Sequence, residues 1–240
     1  MKKLVVITGA SSGIGLACAK YFSNNGHPLL ILARRKELLD DLNLPNTLTA
    51  RVDVRDFNQL DQAIKQAENI YGPVDLLINN AGIMILEKYQ DQKLEDKYNM
   101  IDINIKGVIN GMDAVLKSML KQNHGTIVNI SSVAARYTYT DHSVYCGSKY
   151  AINAITEQLR RELSHTNIRF TLIEPAIVNT NLLNSTTNKQ VKDDYQKSID
   201  EINGGLKPEQ IAQTIYYVYS LPDDVMIPEL MIAHTNESEV

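Results

Sequence analysis

Short apolar runs and helical patterns alternate along this chain, and the alternation restricts its possible folds more than any other feature. Six runs of five or six mostly apolar residues are each followed by a segment with apolar residues at helical spacing. Strands that are apolar throughout are typical of parallel sheets buried on both faces. We therefore predict an α/β fold, a doubly wound parallel seven-stranded sheet with helices on both faces. The predicted strands are residues 4–8, 29–33, 47–52, 74–78, 126–130 and 169–173, with a seventh at 226–233.

The chain is predicted to form one domain, residues 1–240, because no linker or low-complexity stretch divides it. Long helices are predicted over residues 96–121 and 144–164, and a last helix over 208–219. Residues 178–206 are rich in Asn, Thr, Lys and Asp and follow the end of a strand. A long connection of this kind is typical of a mobile substrate lid, and a solvated loop with a surface helix explains it equally well.

Composition argues against several classes of partner. The net charge is −4 and no long basic run occurs, which does not favour binding to nucleic acid or to an anionic membrane. No apolar segment approaches the length of a membrane span. Cys18 and Cys146 are isolated and lack metal-ligand spacing, so we expect no metal site and a reducing, cytoplasmic setting.

A glycine-rich turn joins the first predicted strand to the first predicted helix. Its sequence is Gly9-Ala-Ser-Ser-Gly13-Ile-Gly15. Glycines let a pyrophosphate approach the backbone, and a helix N-terminus offers it free N–H donors. The turn therefore predicts a Rossmann-like dinucleotide site, although the spacing is G-x-x-x-G-x-G. The Gly-Lys-Ser/Thr of a P-loop is missing, while a methyltransferase that binds S-adenosylmethionine is compatible with this turn alone.

Two arginines end the second predicted strand. Arg34 lies 19 residues after Gly15 and Arg35 follows it. In NAD-binding domains an acidic residue holds the ribose hydroxyls near this position. Here the position is basic, and the forked arginine side chain suits a 2′-phosphate. The pair predicts NADP(H) as cofactor; the alternative is two solvated charges at a strand end.

Polar side chains follow four of the predicted strands. They are Asp53, the Asn-Asn-Ala-Gly turn at 79–82, Ser131 with Ser132, and the Glu-Pro-Ala stretch at 174–176. The carboxyl ends of parallel strands meet at one edge of the sheet, where open α/β sheets bind ligands. Turn chemistry alone would also explain an Asn-rich turn. The coincidence of all four at one edge indicates a binding site there.

A tyrosine and a lysine on one helix face suggest proton transfer. Tyr145 and Lys149 are four residues apart, a spacing that places Cβ atoms about 5–6 Å apart on a helix. A nearby ammonium favours the phenolate, so Tyr145 is a candidate general acid or base. Tyr89 and Lys93 have the same spacing, and spacing alone does not choose between the pairs.

The chain resembles the short-chain dehydrogenase/reductase family in a set of motifs from Lys3 to the last strand. They are Thr8-Gly-Ala-Ser-Ser-Gly-Ile-Gly15, Asn79-Asn-Ala-Gly82, Asn104, Ser132 and Tyr145-Cys-Gly-Ser-Lys149. The Tyr89 pair matches none of them. The resemblance implies an oxidoreductase that exchanges a hydride between a nicotinamide cofactor and a carbonyl or alcohol carbon.

The resemblance also implies a role for each catalytic residue. Tyr145 is the general acid for reduction and the general base for oxidation. Lys149 lowers the pKa of Tyr145 and binds the nicotinamide ribose. Ser132 holds the substrate oxygen, and Asn104 positions a water that links Lys149 to solvent.

The cofactor-binding set follows from the same motifs and from strand-end position. One departure from the family pattern is Ala176, where many members have glycine after the proline; a negative φ at this residue would make the change minor. The predicted cofactor-binding residues are Gly9, Ser11, Ser12, Gly13, Ile14, Gly15, Arg34, Arg35, Asp53, Val54, Asn80, Ala81, Gly82, Tyr145, Lys149, Pro175, Ile177 and Thr180.

The leading prediction is an NADP(H)-dependent carbonyl reductase or alcohol dehydrogenase with a small-molecule substrate. The alternative is a regulatory protein that senses NADPH without turnover, which would have no use for a proton relay.

The resemblance, with apolar residues on several faces of the helices at 96–121 and 144–164, predicts a homotetramer. Substrate identity is not encoded in any motif. The pocket is expected between residues 84–87, 134–142 and 181–195, and Arg136 is either a solvated loop arginine or a receptor for a substrate carboxylate.

Overall fold

A seven-stranded parallel sheet forms the centre of the computed structural model, which describes residues 2–238. Its strands, numbered along the chain, are β1 (Leu4–Thr8), β2 (Leu29–Ala33), β3 (Thr47–Arg51), β4 (Val74–Asn79), β5 (Gly125–Ile130), β6 (Ile168–Pro175) and β7 (Glu229–Ile232). The spatial order is β3-β2-β1-β4-β5-β6-β7, and every neighbouring pair is parallel. The predicted fold class and strand number are confirmed. The last strand is shorter than the predicted residues 226–233.

Helices cover both faces of the sheet. They are α1 (Gly13–Asn24), α2 (Glu37–Asp40), α3 (Phe57–Tyr71), α4 (Leu94–Ile101), α5 (Gly107–Gln122), α6 (Ser143–Glu162), α7 (Lys189–Glu201) and α8 (Pro208–Tyr219). Alternate β1 residues point to opposite faces, as the pleat requires. Val5 and Ile7 pack in a core with α1 and α8, while Leu4 and Val6 pack in a second core with α3, α5 and α6. The strands are therefore apolar at consecutive positions because both of their faces are buried.

The long helix predicted over residues 96–121 is interrupted, which corrects that prediction. It consists of α4 and α5 joined by a π-helical turn, Asp102–Lys106. Asn104 lies in that turn and its side chain bonds to the backbone of Ile83. Single π turns inside helices are frequent at functional sites. The interruption thus follows from a tertiary contact that helical periodicity does not report.

The segment 178–206 leaves and rejoins the fold at adjacent points. Val178 and Leu206 form an isolated parallel bridge, and the Asn179 N–H donates to the Leu206 carbonyl at 2.8 Å. Between these ends lie a short 3₁₀ helix, Asn181–Ser185, and α7. The helix α7 contains no buried residue, so it is a surface helix rather than an unstructured loop. Within residues 2–238, no helix combines the length and apolar character that a membrane span requires.

Candidate active site

One large cleft of about 1460 Å³ runs along the carboxyl edge of the sheet. It is lined by residues that follow β1, β2, β3, β4, β5 and β6, as the strand-end argument predicted. All predicted cofactor and catalytic residues line it except Gly15 and Asn104. A Cβ added to Gly15 would lie 2.5 Å from the Gly9 carbonyl oxygen. Gly15 therefore allows α1 to pack closely on the turn after β1 and does not face the cleft.

The turn after β1 requires glycine for two reasons. Gly9 and Gly13 have positive φ angles of 68° and 54°. A Cβ on Gly9 would also lie 2.8 Å from the Ala81 Cα, a distance that real structures do not show. Ser12 is the N-cap of α1, and its side chain makes no capping hydrogen bond. The first turn of α1 thus presents N–H groups beside a glycine-lined surface, an arrangement that fits a pyrophosphate.

Asn80 and Thr8 fasten the turn after β4 to the turn after β1. The Asn80 side-chain amide donates to the carbonyls of Thr8 (3.0 Å) and Gly9 (3.2 Å). In return, the Thr8 hydroxyl accepts from the N–H groups of Asn80 (3.0 Å) and Ala81 (3.1 Å). The side chain of Asn80 therefore holds the turn after β4 against the turn after β1. Sequence reasoning quoted Thr8 only as part of a motif and did not assign it this positioning role.

Basic side chains line the outer end of the cleft. Arg34 and Arg35 follow β2 and are exposed, as predicted. Arg51, the last residue of β3, also lines this end, and it pairs with Ala33 in the parallel register. Sequence reasoning missed Arg51, although a basic residue ending the strand beside β2 was an available signal. This end fits a ribose 2′-phosphate.

Asp53, just beyond β3, forms an ion pair inside its own loop. Its carboxylate accepts from Arg55, with the shortest contact 2.6 Å from Nη2, and this pairing lowers the pKa of Asp53. Arg34 contributes a smaller effect in the same direction. Val54 follows Asp53 in the lining of the cleft. The ionised Asp53 is thus held by Arg55 at the edge of the basic end.

Tyr145 and Lys149 lie at the inner end of the cleft, in the first turns of α6. Only 6% of Tyr145 and 8% of Lys149 is exposed. Burial raises the pKa of Tyr145 to about 12, and a hydrogen bond with Ser132 opposes that rise in part. Burial lowers the pKa of Lys149 to about 8. Desolvation of the hydroxyl is thus the largest influence on the Tyr145 pKa in this structure.

Lys149 and Ser132 are fixed by the strands beneath them. The Lys149 ammonium donates to the Ile130 carbonyl at 2.9 Å, and its nitrogen lies 5.7 Å from the Tyr145 ring centroid. Ser132, which follows β5, accepts from the Ala134 N–H at 3.1 Å. Lys149, beside the Tyr145 ring, and Ser132, bonded to the Tyr145 hydroxyl, are thus both positioned at the end of β5.

Asn104 lies behind the cleft and is only 1% exposed. Its amide oxygen accepts from the Ile83 N–H at 2.9 Å, and its nitrogen donates to the Ile83 carbonyl (3.0 Å) and the Ser148 hydroxyl (3.1 Å). A Cβ added to Gly82 would lie 3.4 Å from the Asn104 oxygen and 4.0 Å from the Lys149 nitrogen. Asn104 is therefore close to Lys149, and its side chain is held in place by three hydrogen bonds within the chain.

The rival pair is excluded by position. Tyr89 is 60% exposed and is absent from the cleft lining, and Lys93 is the residue before α4. The ring of Tyr89 is covered instead by the Lys97 ammonium, 3.9 Å from its centroid. Of the two pairs with helical spacing, only Tyr145 and Lys149 face the cleft.

An apolar chamber adjoins Tyr145. Three segments form it: the loop at 134–142 and the segment at 181–195, both as predicted, and a floor at 83–86 in place of the predicted 84–87, since Glu87 does not line the cleft. The 178–206 segment is fastened to the floor by Thr186, whose hydroxyl accepts from the Leu86 N–H (3.0 Å) and donates to the Met84 carbonyl (3.2 Å). Asn188 donates to both carboxylate oxygens of Glu87, at 2.8 and 2.9 Å. The segment therefore closes one side of the chamber.

Arg136 matches one of the two interpretations of the sequence. Its guanidinium pairs with Glu174, a fully buried carboxylate that it contacts at 3.2 Å, and with Glu229 at the start of β7. It does not line the cleft. Arg136 remains 40% exposed, so it is the surface loop arginine that the sequence allowed, with the addition of an ion pair to a glutamate 38 residues away, and it is not placed to receive a substrate carboxylate. Ala176 is not among the described residues with positive φ, so its methyl group meets no backbone restriction.

Known proteins match the chain over nearly its whole length. The sequence pattern of the short chain dehydrogenases matches residues 3–191. An uncharacterized oxidoreductase of Staphylococcus saprophyticus is 39% identical, covering 98% of this chain and 97% of that protein. The closed form of a serine dehydrogenase complexed with NADP⁺ superposes with a TM-score of 0.91 at 32% identity, covering 98% and 96% of the two chains. An alcohol dehydrogenase from the archaeon Thermococcus sibiricus, complexed with 5-hydroxy-NADP, gives 0.85 at 26% identity, covering 99% and 98%.

These matches agree with the geometry of the cleft. The glycine turn, the Asn-Asn-Ala-Gly turn and the Tyr145–Lys149 helix lie where the resemblance seen in the sequence implied. The chain therefore belongs to the short-chain dehydrogenase/reductase family of oxidoreductases.

Proposed function

We propose that the protein is an NADP(H)-dependent carbonyl reductase or alcohol dehydrogenase with Tyr145 as its general acid and base. The observation that carries the proposal is the arrangement of one continuous cleft, with arginines at one end and the Tyr145 hydroxyl at the other. A glycine-lined helix N-terminus lies between them. The order matches the parts of a dinucleotide phosphate, from the 2′-phosphate through the pyrophosphate to the nicotinamide. NADP-bound neighbours support the same cofactor.

The glycine turn after β1 and the arginines after β2 would hold NADPH, which would supply a hydride for the carbonyl carbon of the substrate. The residues of this chain handle the proton and the oxygen. Tyr145, whose phenol is protonated at neutral pH, donates its proton to the substrate oxygen as the C–O double bond becomes single. Ser132 donates a hydrogen bond to the same oxygen. In the oxidative direction the tyrosinate accepts that proton, and the transfers run in reverse.

Lys149 contributes charge and position. Its ammonium is anchored on the Ile130 carbonyl and lies beside the Tyr145 ring. A positive charge there favours the tyrosinate that remains after proton donation. Asn104, bonded to Ile83 and close to Lys149, is proposed to keep this end of the cleft in place for a water that relays the proton.

The selectivity for NADP(H) is assigned to Arg34 and Arg35. Both side chains are exposed and line the cleft, whereas the next cation along the chain, Lys36, pairs with Asp40. A 2′-phosphate carries nearly two charges, and charge-assisted hydrogen bonds contribute about 1.5–3 kcal/mol each. Exposure places these contacts near the lower value, because solvent screens them.

Two further features complete the proposal. Exposed apolar side chains on α4, α5 and α6, including Tyr98, Ile109 and Tyr150, support a homotetramer. A monomer by light scattering at micromolar concentration would contradict it.

The two cysteines are free and buried, which fits a reducing, cytoplasmic setting.

The test is oxidation of NADPH by the purified protein with a panel of ketones, aldehydes and keto esters. We expect turnover with at least one compound and a much lower rate with NADH. A protein that binds NADPH but reduces none of the panel would instead support the NADPH-sensing alternative. That alternative leaves unexplained why Ser132 is bonded to Tyr145 and why the Lys149 ammonium lies 5.7 Å from the Tyr145 ring. A methyltransferase would have no use for that arrangement.

A further inference from the structure

The charges that line the cleft are distributed unequally between its two ends. Among residues 2–238, the cationic side chains in the lining are Arg34, Arg35 and Arg51 at the outer end and Lys149 at the inner end. Lys149 donates to the Ile130 carbonyl and is already assigned to proton transfer. The chamber beyond Tyr145 therefore offers no guanidinium or ammonium of its own to a substrate anion.

The cations near the chamber along the chain do not line it; one is Lys192, which follows Val191 on α7, and three others are held by carboxylates. Arg136 is held by Glu174 and Glu229. On α7, Lys189 pairs with Asp193 at 2.5 Å and Lys197 pairs with Asp194 at 2.7 Å. None of these three cations lines the cleft.

Three carboxylates do line this part of the cleft: Asp141, Asp194 and Glu237. Asp141 is the least compensated of them, because its Oδ1 is buried and makes no hydrogen bond within the described chain. Asp194 forms an ion pair with Lys197, and its side chain is 55% exposed to solvent. Glu237 accepts from the Ile177 N–H at 3.2 Å and is close enough to Tyr195 to help raise the pKa of that phenol. A substrate carboxylate here would meet like charges in a partly desolvated space.

Aromatic rings form the remaining wall. His142 lies between three tyrosines, with ring centroids 5.6 Å from Tyr139, 6.3 Å from Tyr145 and 6.0 Å from Tyr195. Burial lowers the pKa of His142, so this imidazole is neutral at pH 7. Leu182, Leu183 and Val191 pack against the same group from the 178–206 segment. Flat apolar groups suit such a wall because rings stack and their area is removed from water.

We infer that the chamber selects uncharged carbonyl compounds with an aromatic or apolar body and rejects those that carry a carboxylate beside the carbonyl. The inference rests on the proposed function, since the reacting oxygen must lie at Tyr145. Selection against the acid comes mainly from Asp141, with smaller contributions from Asp194, which is paired with Lys197, and from Glu237; selection for the uncharged compound comes from the rings around His142. Discrimination of this kind combines an attractive surface with a repulsive one.

The test compares methyl benzoylformate with benzoylformate, two keto compounds that share an aromatic body and differ in charge. Reduction is followed with NADPH, and binding to the protein–NADP⁺ complex is measured separately by calorimetry. We expect the ester to exceed the acid at least about tenfold in kcat/KM and in affinity, a difference of about 1.4 kcal/mol.

Charge-neutral variants identify the cause. Asp141→Asn is well matched, because Asp141 has a φ of 67° and asparagine tolerates that conformation. Asp141→Asn should lower the ester-to-acid ratio of kcat/KM, and Asp194→Asn should lower it less, because Asp194 is already paired with Lys197. Asp193→Asn is the control, since Asp193 neighbours Asp194 on α7 and does not line the cleft.

Each outcome decides between distinct claims. Equal or better use of the acid, or an ester-to-acid ratio that neither Asp141→Asn nor Asp194→Asn changes, overturns the inference and leaves the proposed function intact. Binding that favours the ester in a protein that never oxidises NADPH supports the inference and overturns the proposed function. Binding of neither compound overturns the inference.

Discussion

The Lys149 ammonium nitrogen lies 5.7 Å from the centroid of the Tyr145 ring, on the face of α6 that closes the cleft. Both groups are buried, and burial shifts their pKa values in opposite directions, up for Tyr145 and down for Lys149. Each shift favours the neutral form. Burying these two ionisable groups therefore lowers the free energy of unfolding, and a purely structural role would not require it.

This cost predicts how stability depends on pH. Lys149 has a pKa of about 8 in the folded protein against 10.5 for the ordinary side chain. Between those values the unfolded chain binds more protons than the folded one, so stability rises with pH. Relative to Lys149→Met, the unmodified protein should gain on the order of 1–3 kcal/mol in free energy of unfolding across this window.

Urea unfolding of both proteins from pH 7 to 10.5 measures the difference. Tyr145 remains in both, so its own titration cancels. A gap between the two proteins that is constant with pH would contradict a desolvated lysine. The variant should also lose turnover, because the charge that favours the tyrosinate is removed.

Arg34→Ala should weaken NADPH binding about tenfold and leave NADH binding within about twofold, since one charge-assisted contact is removed. In the unmodified protein the preference for NADPH should be on the order of 10²-fold and should fall as salt is added. Arg161→Ala is the control for total charge, because Arg161 pairs with Glu157 on the outer side of α6. Dissociation constants for both nucleotides at two ionic strengths decide the point, and equal affinities would make the arginines mere surface charges.

Thr186→Val should loosen the contact between the 178–206 segment and the floor. The Leu86 N–H would lose its buried acceptor, which costs about 1–3 kcal/mol. We expect the substrate KM to rise about tenfold while the dissociation constant for NADPH stays within about twofold. Thr187→Val changes an exposed neighbour of the same type and is the control. A KM unchanged in both variants would show that this contact does not shape the chamber.

Comparing Gly9→Ala with Gly26→Ala separates the effect of backbone strain from the effect of a steric clash between the added methyl group and neighbouring residues. Both glycines have positive φ, yet a Cβ on Gly26 meets nothing within 4 Å whereas one on Gly9 meets Ala81 at 2.8 Å. Gly26→Ala should cost about 1–2 kcal/mol from backbone strain alone. Gly9→Ala should cost more and also abolish measurable NADPH binding. Thermal unfolding and nucleotide titration of the pair provide the check, and similar losses in both variants would contradict this account of the turn.

Sequence patterns predicted those features that depend on short stretches of chain. Strand periodicity, the glycine turn and the basic pair after β2 are local signals, and each lies where expected. Local spacing could not choose between Tyr89 and Tyr145, because both pairs have it; the choice came from the wider motif set. The structure supports it by leaving Tyr89 exposed.

The features that were missed depend on contacts between distant parts of the chain. The π turn at Asn104 accompanies a hydrogen bond from its side chain to the Ile83 carbonyl. Arg136 forms an ion pair with Glu174. Thr186 meets Leu86, 100 residues away. A single sequence does not encode which polar partners meet across such separations. Substrate preference had to be inferred from the chamber for the same reason.

The central claim is that Tyr145 transfers the proton, and one comparison tests it most directly. NADPH oxidation with a reducible ketone is measured for the unmodified protein, Tyr145→Phe and Tyr89→Phe, together with NADPH affinity. Tyr145→Phe should lower kcat about 10²–10⁴-fold with NADPH affinity nearly unchanged, because only the hydroxyl is removed. Tyr89→Phe should retain full activity. Full activity in Tyr145→Phe, or loss of activity in Tyr89→Phe alone, would contradict the assignment.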